Sequence, residues 1–199
     1  MPPLSLPPNL KFGPFPISGQ VFHLSSTRLS YALVNLKPIL PGHVLICPVR
    51  VVPRFSQLTQ SETTDLFVTV RRVSRTIERL FSATSLNIAI QDGVDAGQSV
   101  PHVHVHIIPR KAGDLDERGG GDAIYDMMDG EEGNVGKDFL ELQKARVAKD
   151  RRKDFKPDAS DDRKPRSAEE MNEEAAWLRE EMEKDREEGS EEINVDREG

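Results

Sequence analysis

Residues 101–110 read Pro-His-Val-His-Val-His-Ile-Ile-Pro-Arg, and this alternation limits the fold more than any other stretch. Side chains two apart share a face only on a β-strand. A strand here sets His102, His104 and His106 in one row and turns Val103, Val105 and Ile107 to the core. The chain has five histidines among 199 residues, so three in register are a marked concentration. Three chemistries are open to such a row. It can bind zinc, although a structural site wants a fourth ligand and a catalytic site three ligands plus water. It can be a set of hydrogen-bonded structural histidines. Or a neutral ring nitrogen can attack phosphorus or carbon, with neighbours holding its tautomer and stabilising charge. Spacing alone does not choose among them.

The surrounding segments predict a mixed sheet-and-helix domain. Strand-like runs cover 20–25, 29–35, 43–50 and 85–91, and the histidine strand ends at Pro109. The link 36–42 holds two prolines and a glycine, which break any helix. Between the third and fourth runs lies a helix. Thr59 and Glu62 form a capping box, and Leu66, Val70, Val73, Ile77 and Leu80 recur at spacings of four and three. Arg71, Arg72, Arg75 and Arg79 lie off that stripe and solvate the outer face. Connections are short and lack a repeating β-α rhythm, so the expectation is an α+β fold: an antiparallel sheet with helices packed on it. Pro101 opens the histidine strand, a position where proline is tolerated.

Charge divides the chain. Residues 1–112 hold 11 basic and 5 acidic side chains, and the rest hold 16 and 29. The first part favours anionic ligands, and the acidic second part is expected to be solvated and flexible. The reading is therefore a Pro-rich disordered arm over 1–9, a core over 10–114, and a flexible charged insertion over 115–166. A C-terminal helix over 167–183 and an acidic disordered tail over 184–199 follow. Within the insertion, 137–155 has a thin apolar face that can form a local helix. Ser167 and Glu170 make a second capping box, and Met171, Ala175 and Leu178 share one helical face.

The same numbers set aside several classes. The single cysteine, Cys47, allows no intrachain disulfide and reads as a small buried hydrophobe. The N-terminus has prolines where a signal peptide needs an apolar core, and no apolar run approaches the ~20 residues that span a bilayer. A cytoplasmic protein is expected, with the nucleus as a second compartment and no membrane partner. Nucleic acid is not expected as a partner either, because the acidic half repels phosphates.

The segments ALVNLKPILPGHVLICPVR, IQDGVDAGQSV and HVHVHIIPRKAGD resemble the fragile histidine triad family, the dinucleoside polyphosphate hydrolases of the histidine triad superfamily. The long C-terminal region is fungal-like. The likeness runs from about Phe12 to Asp114 and resumes at 167–183. It implies a histidine-triad fold with one long helix and a C-terminal helix, the sheet extended across a homodimer. It implies cleavage of diadenosine triphosphate to AMP and ADP through a nucleotidyl-histidine intermediate, with His104 as nucleophile. His102 then steadies the ring of His104, and His106 contacts the α-phosphate. The third histidine points to hydrolysis, since transferase relatives carry glutamine there.

Further positions follow from the resemblance. His43 matches an active-site histidine, Asn35 the residue that binds a ribose hydroxyl, and Gln91 a polar contact to the phosphate chain. Gly97, Gln98, Ser99 and Val100 match the segment lining the polyphosphate, with Gln98 and Ser99 as donors. Phe15 stands near the position that touches the base. Tyr125 resembles the loop tyrosine that the family offers for phosphorylation. No tightly bound cofactor is expected; if a divalent Mg or Mn ion is needed, it rides with the substrate phosphates, because no carboxylate cluster in the sequence offers a cage. Two other readings stand beside this one. One is the smaller histidine-triad branch, which cleaves phosphoramidates and adenylyl sulfates. The other is a dinucleotide-sensing signalling protein with slow turnover.

Overall fold

A computed structural model describes residues 5–129 and 165–195. The local helix expected over 137–155, and residues 1–4 of the N-terminal arm, lie outside the described residues. The body is a five-stranded sheet built from β3 (Val21–Leu24), β4 (Ser30–Val34), β5 (Val44–Pro48), β6 (Ser85–Ala89) and β7 (Val105–Arg110). Their order is β3-β4-β5-β7-β6, and every neighbouring pair is antiparallel. A small hairpin of β1 (Lys11–Phe12) and β2 (Phe15–Pro16) precedes it.

Register decides which side chains share a face. Leu33 stands opposite Leu45, Leu45 opposite His106, and His106 opposite Ala89. Cross-strand partners point the same way, so these residues define the histidine face. Val44, Ile46, Val105 and Ile107 point to the other side, against α1 (Gln60–Phe81). Helix α1 starts where the capping box predicts. Thr59 accepts from the backbone of Glu62, and the Glu62 carboxylate accepts from the backbone of Thr59. The Glu62 carboxylate is also held by Arg50, whose guanidinium is the main reason that its pKa falls to about 2. Leu66, Val70, Val73 and Ile77 are buried as the stripe requires.

Four boundaries differ from the sequence reading. Regular pairing in β7 begins only at Val105; His102 and His104 sit on the segment leading into it. Pro109 lies inside β7 rather than ending it. Pairing with β5 involves only 105–107, so the missing N–H of Pro109 deprives no partner on that side. Residues 115–129 are not a loose insertion. Helix α2 (Ala123–Asp129) buries Ile124, Met127 and Met128 with Leu115, Ile39 and Ile108 in a second apolar cluster. Finally, α3 (Ala168–Val195) runs past residue 183. Its second capping box forms as expected between Ser167 and Glu170, and Met171, Ala175 and Leu178 are buried. Arg79 pairs with Glu181 and Asp185, tying α3 to α1. None of the described helices is long and apolar enough to cross a membrane.

Candidate active site

All three histidines are buried: His102 is 0% exposed, and His104 and His106 are 2%. The sequence predicts an apolar side and a histidine side, and here both are covered. The N-terminal hairpin closes over the histidine face. Tyr31 donates its hydroxyl to the Lys11 carbonyl at 2.9 Å, and the Phe12 ring meets His104 edge-on at 5.2 Å between centroids. Gly13 makes the turn with φ of +55°, a conformation that suits glycine. A Cβ there would come within 2.6 Å of Val100.

Each ring's tautomer follows from its neighbours. The Gly13 backbone N–H donates to Nδ1 of His102 at 3.0 Å, so that nitrogen carries no proton. Nε2 of His102 then donates to the Pro48 carbonyl at 2.9 Å. His104 is set the opposite way round. Its Nδ1 lies 2.7 Å from the His102 carbonyl and must donate to it. The lone pair of His104 is thus on Nε2. The expected contact between His102 and the ring of His104 is made by the His102 backbone carbonyl, while the His102 ring braces the hairpin against β5.

A second relay fixes His106. The backbone N–H of Ile39 donates to Nδ1 of His43 at 3.1 Å. Nε2 of His43 therefore carries the proton and donates to Nδ1 of His106 at 2.9 Å. This leaves the His106 proton on Nε2, a buried atom with no partner among the described residues. A buried donor left unpaired costs about 1–3 kcal/mol, and such an atom in a native structure calls for an explanation. The rings of His104 and His106 stand 4.9 Å apart. The site thus juxtaposes a lone pair and a fixed N–H donor.

Burial keeps these rings neutral. Desolvation, opposed by the Pro48 carbonyl and aided by the neighbouring His104, lowers the pKa of His102 to about 4. Desolvation likewise lowers His104, against the pull of the His102 carbonyl. Burial first, then the rings of His104 and His43, hold His106 well below the usual histidine range. A zinc ion on this row would need three lone pairs converging. Only His104 offers one, since Nε2 of His102 and of His106 are both protonated. Among the described residues, no group of three histidine, cysteine, aspartate or glutamate side chains is arranged to hold a metal. Cys47 is fully buried, and desolvation raises its thiol pKa far above neutrality.

The remaining expected residues fall at several distances from this pair. Asn35, buried just past β4, accepts the Lys37 N–H on Oδ1 at 3.1 Å, and its Nδ2 passes 3.3–3.4 Å from both ring nitrogens of His43. The shorter bonds fix the His43 ring, so this last approach is a contact rather than a hydrogen bond. Gln91 is half-buried and donates Nε2 to the Met128 carbonyl at 3.1 Å. Gly97 ends a single 3-10 turn with φ of +83°. Gln98 is engaged in bracing its own loop. Its Oε1 accepts from Gly93 N at 3.0 Å, and one of its amide hydrogens goes to the Pro53 carbonyl at 2.9 Å. Ser99 is half-buried beside it, and Val100 is a core residue. Phe15 is buried in β2, and Phe12 is the ring against His104. Tyr125 is exposed on α2.

The sequence reading missed the backbone groups that set the tautomers: Gly13 N, Ile39 N, Pro48 O and His102 O. It also missed Arg166, which it placed in the flexible insertion. That side chain donates to the Asn35 carbonyl. No local signal marks such groups, because each partner is distant in sequence.

The HIT domain family matches residues 20–113. A bis(5'-nucleosyl)-tetraphosphatase (asymmetrical) of Schizosaccharomyces pombe is 52% identical over 182 residues, covering 87% of this chain and 94% of the relative. A bifunctional bis(5'-adenosyl)-triphosphatase/adenylylsulfatase of Arabidopsis thaliana is 52% identical, covering 68% of this chain and 73% of its own. Among solved structures, Plasmodium falciparum diadenosine triphosphate hydrolase superposes with a TM-score of 0.53 at 32% identity. That match covers 69% of this chain and 88% of the other.

Proposed function

The chain belongs to the HIT domain family, and on that premise we propose that it hydrolyses dinucleoside polyphosphates with His104 as nucleophile. The observation that carries this is the pairing of the His104 Nε2 lone pair with the orphaned N–H of His106. The substrate class accords with relatives at about half identity that are named as phosphohydrolases of these compounds. Diadenosine triphosphate is the substrate put forward, in line with the triphosphatase name of the Arabidopsis relative.

The chemistry runs in two displacements. The Nε2 lone pair of His104 forms a bond to the α-phosphorus. The bond from that phosphorus to the bridging oxygen breaks, and its electron pair leaves with ADP. The ring is now cationic, and the His102 carbonyl at 2.7 Å from Nδ1 stabilises that charge. Water then bonds to phosphorus, the N–P electron pair returns to Nε2, AMP departs, and the water's protons pass to solvent. Throughout, the Nε2–H of His106 donates to a phosphoryl oxygen. Gln91, Gly97, Gln98 and Ser99 lie along the phosphate chain, and Asn35 takes a ribose hydroxyl. A divalent Mg or Mn ion, where one takes part, arrives with the substrate phosphates. The assembly is a homodimer with the sheet continued across its axis.

A second reading has one specific support: the Arabidopsis relative carries adenylylsulfatase in its name. The same nucleophile serves adenylyl sulfate, with sulfate as leaving group. A panel of diadenosine tri- and tetraphosphate, adenylyl sulfate and an adenosine phosphoramidate separates the two. The expected order puts diadenosine triphosphate first in kcat/KM, with no turnover by His104→Asn at an unchanged circular dichroism spectrum. Full turnover by that variant ends the proposal.

A further inference from the structure

The carbonyl of Asn35 is gripped from a distant part of the chain. Arg166, just before α3, donates Nε to that oxygen at 3.1 Å and brings Nη2 to the same atom. Its Nη1 pairs with Glu174, in the second turn of α3, and its backbone N–H donates to the Leu36 carbonyl at 3.0 Å. Both charged side chains are about one-fifth exposed, so the pair is shielded rather than solvated. The guanidinium fork thus meets one peptide oxygen with two donors, a geometry that fixes direction as well as distance.

That peptide lies at the start of a short segment serving the site twice. Asn35 presents its side chain beside His43, and four residues on, Ile39 donates the N–H that sets the His43 tautomer. Between them the Lys37 N–H is bonded back to the Asn35 side chain. The segment leaves the end of β4 with no strand partner of its own until β5 begins at Val44. Arg166 and the Leu36 carbonyl bond are what hold it from the α3 side.

We propose that Arg166 is a positioning residue: it holds the Asn35 peptide so that the Asn35 side chain is set for the nucleoside of the substrate. This rests on the reading of the site as a dinucleotide hydrolase. An interaction with a remote, non-reacting part of the substrate is made in ground and transition states alike, so its loss raises KM and spares kcat. Arg166→Ala removes two charge-assisted hydrogen bonds to the Asn35 carbonyl, and the part of that loss that reaches the Asn35 side chain is expected as about tenfold in KM.

The test uses the full chain with Arg166→Ala, Asn35→Ala, the double variant and Leu178→Ala. The last loosens α3 through its buried face without removing a hydrogen bond to Asn35. For diadenosine triphosphate, Arg166→Ala is expected to raise KM about tenfold with kcat within about threefold. On the Asn35→Ala background the same change should add less than about twofold, since residues acting through one another are not additive. Leu178→Ala should lower Tm and leave KM alone. An unchanged KM in Arg166→Ala, full additivity in the double variant, or a matching KM rise in Leu178→Ala each overturns the inference. If the wild-type protein turns over no dinucleotide, the functional reading has failed. The same cycle is then read from the Kd for AMP, and absence of AMP binding overturns the positioning role as well.

Discussion

Replacing His106 with leucine should abolish most activity and leave the fold about as stable as before. The magnitude follows from the two hydrogen-bonding atoms that change. Nε2 of His106 is buried and has no partner among the described residues, a cost of about 1–3 kcal/mol that the substitution removes. In exchange, Nε2–H of His43 loses its acceptor at 2.9 Å and becomes a buried unpaired donor, at a similar cost of about 1–3 kcal/mol. The two offset each other, so Tm should move by no more than about 5 °C. Catalysis has no such compensation. A preorganised donor to a phosphoryl oxygen in a site this dry is worth about 10²–10³-fold in kcat. The assay is steady-state hydrolysis of diadenosine triphosphate beside a thermal melt of each protein. Activity within about fivefold of wild type would show that the orphaned N–H takes no part in the chemistry. Equal losses of activity and of folded protein would show that His106 is structural.

Three shorter predictions follow from the same structure. Burial lowers the His104 pKa, so kcat/KM should be flat from pH 6.5 to 8 and fall only at lower pH, where the ring gains a proton and loses its lone pair; an acid limb above 6.5 contradicts the neutral-nucleophile assignment. Burial depresses His102 from 6.5 to about 4, so its contribution to stability is complete above pH 6.5 and is lost as pH falls towards 4. The difference is about 3 kcal/mol. Urea midpoints should fall less steeply across that window in His102→Gln, and an identical slope refutes the assignment. Gly42 has φ of +83°, and a Cβ there would meet Phe81 at 2.6 Å. Gly42→Ala should therefore cost about 1–3 kcal/mol and lower Tm by several degrees; an unshifted melt would mean that the Phe81 ring moves aside freely.

Local patterns revealed much of the scaffold in advance. The alternation at 102–107 marked the face that carries the histidines, although pairing begins only at Val105; both capping boxes formed at the residues that announce them, and the α1 stripe is buried from Leu66 to Ile77, with Leu80 only partly so. The resemblance supplied His43, which bonds to His106, and Asn35, whose side chain lies against His43. What the sequence hid is of two kinds. Helix α2 was masked by charge: Ile124, Met127 and Met128 have helical spacing, but the acidic and glycine-rich context read as flexible, and their partners Ile39 and Ile108 are far along the chain. The tautomers were hidden by topology. Whether His104 or His106 presents a lone pair depends on Ile39, Pro48 and Gly13, and only the folded sheet brings those backbone groups to the rings. Gln98 illustrates the same limit, since its amide is turned to Gly93 and Pro53 rather than left open.

The account stands most directly on a bond between His104 and the substrate. Mixing the protein with diadenosine triphosphate, quenching within one turnover in alkali and mapping the adduct by mass spectrometry reads that bond. The expected result is AMP attached to the peptide bearing His104, chasing to free AMP in unquenched samples. AMP on another residue, or rapid turnover with no attached nucleotide at any time, would contradict it.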